Sequence, residues 1–136
     1  MKSKKIKKKI VDTPHAPEAV GPYNQGVISG NLLFISGQIA IDPVSGYMVT
    51  NTIEMETKRV MQNIKAIVEE AGATLEDVLR CSVYAKNIAQ FGAINKAYSQ
   101  FFDNCTAPAR EFVEVSKLPR NVNIEISAIV QVLEEK

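Results

Sequence analysis

A single histidine and two cysteines in 136 residues remove several classes of chemistry at once. Cys81 and Cys105 lie far apart, form no CxxC pair and read as free thiols. With His15 they supply too few ligands for a closed Cys/His zinc site, so no metal is expected. A Ser–His–Asp triad would have to recruit His15, which sits between Pro14 and Pro17 in an irregular segment. Neither GxxxxGK[ST] nor GxGxxG occurs, which leaves no phosphate loop and no dinucleotide fingerprint. No apolar run approaches the roughly 20 residues that cross a bilayer; the longest, as in residues 28–35, are short and broken by polar side chains. Without a secretory h-region after the N-terminus, a cytoplasmic location is expected. A mitochondrial presequence fits less well, because the N-terminal tail has no arginine and hardly any serine.

What is present suits one soluble domain with one core: 46% hydrophobic residues and a formal net charge of +1. That charge hides an asymmetry. Residues 1–9 carry six of the 16 basic side chains (Lys2, Lys4, Lys5, Lys7, Lys8, Lys9) and no acid, which leaves ten bases against 15 acids elsewhere, a net of −5. A polyanion such as RNA would be repelled by the body and attracted only by this tail. The tail reads first as solvated chain; residues 6–11 also alternate with lysine, which would suit a lysine-protected edge strand. The expected division is therefore a lysine-rich tail over residues 1–9 and one domain over residues 10–136.

Residues 12–22 are rich in proline and small residues and read as an irregular arm. Residues 27–30 and 32–36 read as strands around a Gly30-Asn31 turn, and residues 42–46 as a second turn. Ile53, Thr57, Val60, Ile64, Ile67, Val68 and Ala71 recur at helical spacing, with Asn51 as cap, Glu54 supporting the start and Gly72 as stop. Strands are expected over 80–86, 111–115 and 122–133, and a second helix, weakened by Gly92, over 88–102. This order describes an α+β layer, two helices packed on one face of a mixed sheet.

Four features ask for more than packing. Arg110 follows Pro108 into a short strand, and its planar fork matches a carboxylate; a surface arginine or an internal ion pair is the plain alternative. Asn95 shares the stripe of Phe91, Tyr98 and Phe102, where a buried amide must hold a backbone group, a ligand or a neighbouring subunit. Glu125 alternates with Ile124 and Ile126, on the face of Asn123, Ser127, Ile129 and Gln131, and is a solvated rung, an ion-pair partner or a general base. Residues 21–26 and Ser36-Gly37-Gln38 place glycines and the Tyr23 phenol on constrained backbone, suiting either turn chemistry or close approach to a ligand.

Ordered along the chain, these segments resemble the RidA/YjgF family, also known as endoribonuclease L-PSP or translation-inhibitor proteins. The matching stretches are Ala16-Pro17, Gly21-Pro22-Tyr23-Asn24-Gln25, residues 32–38 (LLFISGQ), residues 63–67 (NIKAI), residues 70–73 (EAGA), and Asn95 to Tyr98. They continue through Pro108-Ala109-Arg110, Val113-Glu114-Val115, Leu118-Pro119 and Ile124-Glu125-Ile126. The resemblance implies a chorismate-mutase-like fold, a homotrimer with clefts between subunits, and hydrolysis of 2-iminobutanoate and 2-iminopropanoate to 2-keto acids and ammonia without any cofactor. It implies that Arg110 grips the substrate carboxylate, that Glu125 acts on water, and that Tyr23, Ser36, Gly37 and Asn95 line the cleft. Two departures stand out. Glu111-Phe112 replaces the family's common Ser-Cys, which keeps a backbone N–H at Phe112 but enlarges the side chain, and Ser127 replaces a frequent glutamate. The alternatives are an endoribonuclease, disfavoured by a lone histidine and an acidic body, and a non-catalytic module binding small carboxylates.

Overall fold

The computed structural model of the chain describes residue 5 and residues 7–133. Most of the lysine tail's first half lies outside these described residues. The described segment opens with β1 (Lys9–Val11), followed by β2 (Gly26–Ser29) and β3 (Leu32–Gln38). Helix α1 (Ile53–Glu70), β4 (Val78–Ala85), α2 (Phe91–Ser99), β5 (Ala109–Glu114) and β6 (Ile124–Gln131) complete it. The six strands form one sheet in the order β1-β2-β3-β6-β4-β5. Every pairing is antiparallel except β4 with β5, which are parallel and joined through α2. The expected mixed sheet with two helices is therefore present. Of the residues 6–11 that alternate with lysine, Lys9–Val11 form an edge strand with Lys9 its single lysine, residues 7 and 8 form none, and residue 6 lies outside the described residues.

Local chemistry explains most boundaries. Gly30 adopts φ 61 in the two-residue turn that closes β2 on β3, with Ser29 opposite Leu32. The cap of α1 is Thr52 rather than Asn51: Thr52 is extended and its hydroxyl accepts the Met55 N–H at 3.1 Å. Asn51 stands one residue too early to reach that N–H, and Glu54 becomes an acid in the first turn without a box partner. The second helix is a composite, a short 3₁₀ turn at Ile88–Gln90, then α2, then another at Gln100–Phe102. Strand β4 begins two residues earlier than its alternation suggested. Strand β5 begins at Ala109, directly after Pro108, so Arg110 lies within it.

One face of the sheet is covered. Leu33, Ile35, Cys81, Val83, Ile124 and Ile126 meet Val60, Met61, Ile64, Ile67 and Val68 of α1, all buried. Two polar anchors in this layer escaped the apolar pattern. Glu56 is wholly buried, and its carboxylate accepts the N–H groups of Asn123 (2.7 Å) and Ile124 (3.2 Å) and the Asn123 side-chain amide (2.8 Å). It thereby fixes the start of β6 to α1, two residues from Glu125. Gln25 donates to the carbonyls of Thr13, Ala16 and Pro17 and accepts the Thr13 N–H, which ties the irregular arm down. The other face carries Phe34, Ser82, Glu111, Glu125 and Ser127, with an Arg80–Glu111 ion pair across it.

Candidate functional site

The register of the central strands decides which side chains can meet. Row by row across β6, β4 and β5 the partners are Ala128–Cys81–Arg110, Ser127–Ser82–Glu111, Ile126–Val83–Phe112 and Glu125–Tyr84–Val113. Successive rows alternate faces. Arg110 and Phe112 therefore lie on the helix-covered face, and Glu125 on the open one. The candidate residues divide into two groups that one chain does not bring together.

The first group gathers around Arg110. Its guanidinium donates to the Asn95 side-chain carbonyl at 2.8 Å. Its central carbon lies 5.0 Å from the Tyr98 ring centroid, 5.6 Å from Phe112 and 5.7 Å from Phe91. Cations over ring faces at this range are stabilised by about 0.5–1 kcal/mol each. Asn95 is half-buried and accepts from the arginine side chain, a partner outside the three expected for it, a backbone group, a ligand or a neighbouring subunit. Burial pushes the thiol of Cys81 and the phenol of Tyr98 upward, so both stay neutral beside the guanidinium. Arg110 has no carboxylate partner among the described residues. It opens onto a cleft of about 600 Å³ walled by Asn95, Tyr98, Phe102, Asp103 and Pro108. Strand β5 is a sheet edge. Because the Val115 N–H donates to Ala85, alternation turns the N–H groups of Arg110 and Phe112 away from β4, toward the free edge.

The second group surrounds Glu125. Tyr23, Ser36, Gly37, Arg120 and Glu125 line one cleft of about 580 Å³, with Pro17 and Glu18 of the arm at its rim. The Ser36 hydroxyl donates to the Asn24 carbonyl at 2.6 Å, which locks the two loop segments together. Burial alone pushes the Glu125 carboxyl above its ordinary value. Its carboxylate lies directly over Gly37, where an added Cβ would come within 2.7 Å of Oε2. Gly37 sits at the irregularity in the β3–β6 register between Ile35 and Gln38. Gly37→Ala is expected to fold, because the clash is with the movable end of a side chain. It should displace the Glu125 carboxylate and, where the cleft is catalytic, lower kcat/KM about tenfold. Unchanged turnover with unchanged thermal stability would remove Gly37 from the site.

Arg120 was not singled out by sequence. It and Asn121 hold left-handed backbone, φ 55 and 56, after Pro119. Asn121 suits that conformation by residue type, but nothing announces it at Arg120, although neighbouring Leu118-Pro119 matched the family pattern. Phe91 and Tyr98 were legible as an apolar stripe but not as rings around a cation. His15 is exposed on the arm, and no group of three or more His, Cys, Asp or Glu side chains among the described residues could hold a metal ion. No helix among the described residues is long and apolar enough to cross a membrane.

The chain matches the family model described as Endoribonuclease L-PSP over residues 13–132, and it belongs to that family, the one also called RidA/YjgF. It is 48% identical to a RutC family protein of Pyrococcus abyssi over 122 residues, 90% of this chain and 95% of the relative. It is 42% identical to the 2-iminobutanoate/2-iminopropanoate deaminase of Salmonella typhimurium over 123 residues, 89% and 95% of the two chains. Among solved structures, Escherichia coli TdcF with bound serine superimposes with a TM-score of 0.88 at 39% identity, covering 90% of this chain and 98% of that one.

Proposed function

We propose that this protein hydrolyses 2-imino acids, such as 2-iminobutanoate and 2-iminopropanoate or their enamine tautomers, to 2-keto acids and ammonia. The observation that carries the reading is Arg110: a guanidinium held by Asn95 among three rings, at a sheet edge, without a carboxylate partner among the described residues. Such a fork suits the carboxylate of a small acid. The names of relatives at 41–42% identity support the same reaction, and the serine bound to TdcF is a ligand of matching chemistry.

In this reading the active unit is a homotrimer. Arg110, Asn95 and the Phe112 N–H of one copy face Glu125, Tyr23, Ser36 and Gly37 of another across an intersubunit cleft. Arg110 clamps the substrate carboxylate and presents C2. Glu125 takes a proton from water as its oxygen bonds to C2, and the C=N π electrons pass to nitrogen. Glu125 returns the proton to the nitrogen of the carbinolamine. The hydroxyl proton then passes through Glu125 to the same nitrogen, the C–N bond breaks, and ammonia leaves as the keto group forms. Tyr23 offers its phenol to the nitrogen or the new hydroxyl, and backbone N–H groups at the β5 edge stabilise developing charge. Each role is played by the chain's own side chains or backbone, and none requires a metal or organic cofactor.

The test is generation of 2-iminobutanoate by an amino-acid oxidase with semicarbazide as trap. Catalytic amounts of protein should suppress semicarbazone formation; no suppression would leave a carboxylate-binding module. Glu125 must be ionised to act as base, so kcat/KM should fall as pH drops through a value above the ordinary glutamate 4.5, in the direction that burial dictates. Glu125→Gln should lose that acid limb and about a hundredfold in rate. A limb that persists in Glu125→Gln would assign the base elsewhere. The family model's own description favours a second reading, RNA cleavage. An exposed, lone His15 offers no acid–base pair for it, and cleavage by highly purified protein that survives loss of Arg110 would be needed to sustain it.

A further inference from the structure

Phe91 opens α2 and remains 41% exposed, whereas Tyr98 and Phe102 farther along the same helical segment are buried. Its ring meets Phe112 edge to face, with centroids 4.8 Å apart and planes at 65°. Phe112 comes from a different element, the edge strand β5, and is half-buried against the core. Both rings lie within 5.7 Å of the Arg110 guanidinium carbon. A carboxylate bonded to that guanidinium sits about 2.8 Å from its nitrogens, and the substituent on the next carbon then begins within reach of the ring pair. An accessible aromatic wall beside a cation with no carboxylate partner among the described residues is chemistry for a ligand that is anionic at one end and apolar at the other.

We propose that Phe91 and Phe112 make this site select 2-imino acids with bulky apolar side chains, aromatic or branched, over those bearing only methyl or ethyl. The inference rests on Arg110 as the carboxylate clamp and adds the identity of what hangs from that carboxylate. A polar or charged side chain would be desolvated against two phenyl rings without a partner. A methyl group would leave the rings wet. Phe91 contributes through its exposed ring, and Phe112, packed partly against the core, holds Phe91 in its edge-to-face geometry.

The experiment is calorimetric titration of the full chain with phenylpyruvate, 4-methyl-2-oxopentanoate and pyruvate, paired with the trapping assay on imines made from phenylalanine, leucine and alanine. Phenylpyruvate should bind about tenfold tighter than pyruvate or better, the range a hydrophobic pocket achieves per added apolar group. In Phe91→Ala, an exposed position with little folding risk, that ratio should shrink severalfold. Phe112→Leu, which keeps most of the packed volume, should shrink it too. Equal affinity for phenylpyruvate and pyruvate, or a ratio unmoved by both substitutions, overturns the proposal. Selective binding without turnover of any imine would sustain side-chain selection while refuting the deaminase; turnover without selectivity would do the reverse. Failure of all three 2-keto acids to bind at millimolar concentration, together with no turnover of any of the three imines, would overturn both.

Discussion

Arg110→Ala should lower kcat/KM for 2-imino acids by about three orders of magnitude while leaving the fold intact. A fork gripping a carboxylate makes two charge-assisted hydrogen bonds of about 1.5–3 kcal/mol each, and every 1.4 kcal/mol is a factor of ten. The loss also removes orientation, because C2 is presented to water only while the carboxylate is fixed. Stability should fall by about 1.5–3 kcal/mol, from three ring contacts of about 0.5–1 kcal/mol each, the one bond to Asn95 at a half-exposed edge adding little. Arg110→Lys separates charge from geometry: the ammonium keeps attraction but loses the parallel pair of bonds and the flat stacking surface. It should recover only a small part of the rate. Full activity in the lysine variant would refute a bidentate clamp, and full activity in the alanine variant would move the carboxylate site elsewhere.

The largest effect on stability is expected away from either cleft. Glu56→Ala removes the one acceptor group for two backbone N–H groups and an amide at the head of β6. Each orphaned donor costs about 1–3 kcal/mol, so a total near 4 kcal/mol is expected. For a domain of this size that is a fall in Tm on the order of 10 °C. Activity should fall as well, because Glu125 follows the anchored pair Asn123 and Ile124 and loses its fixed position over Gly37. Differential scanning calorimetry decides it; a shift of only a degree or two would mean that water enters and replaces the carboxylate.

Strong periodicity made α1, β3 and β6 legible, because each buries one face along many residues. Thr52 and Asn51 could not be told apart by type, since both cap helices well; backbone placement chose between them. Glu56 was invisible for a different reason. A charge among Ile53, Thr57 and Val60 looks like a solvated position until its partners, 67 residues away, are known. Arg110 and Glu125 each stood out by chemistry, and Asn95 by an amide on an apolar stripe. Their relation to one another did not, because it depends on how β4 registers against β5 and β6. That register is set by long-range pairing that no local pattern encodes.

Placement of Arg110 and Glu125 on opposite faces of the sheet has a bearing on how such a chain changes through descent. In an assembly that joins the two half-sites, a substitution at Phe112 alters the surroundings of a glutamate that belongs to another copy of the same gene product. Variation in β5 and in the β3–β6 segment would then be selected jointly although β5 neighbours neither strand in the sheet. A single mutation also enters every cleft at once, so no copy can drift while another keeps the original chemistry.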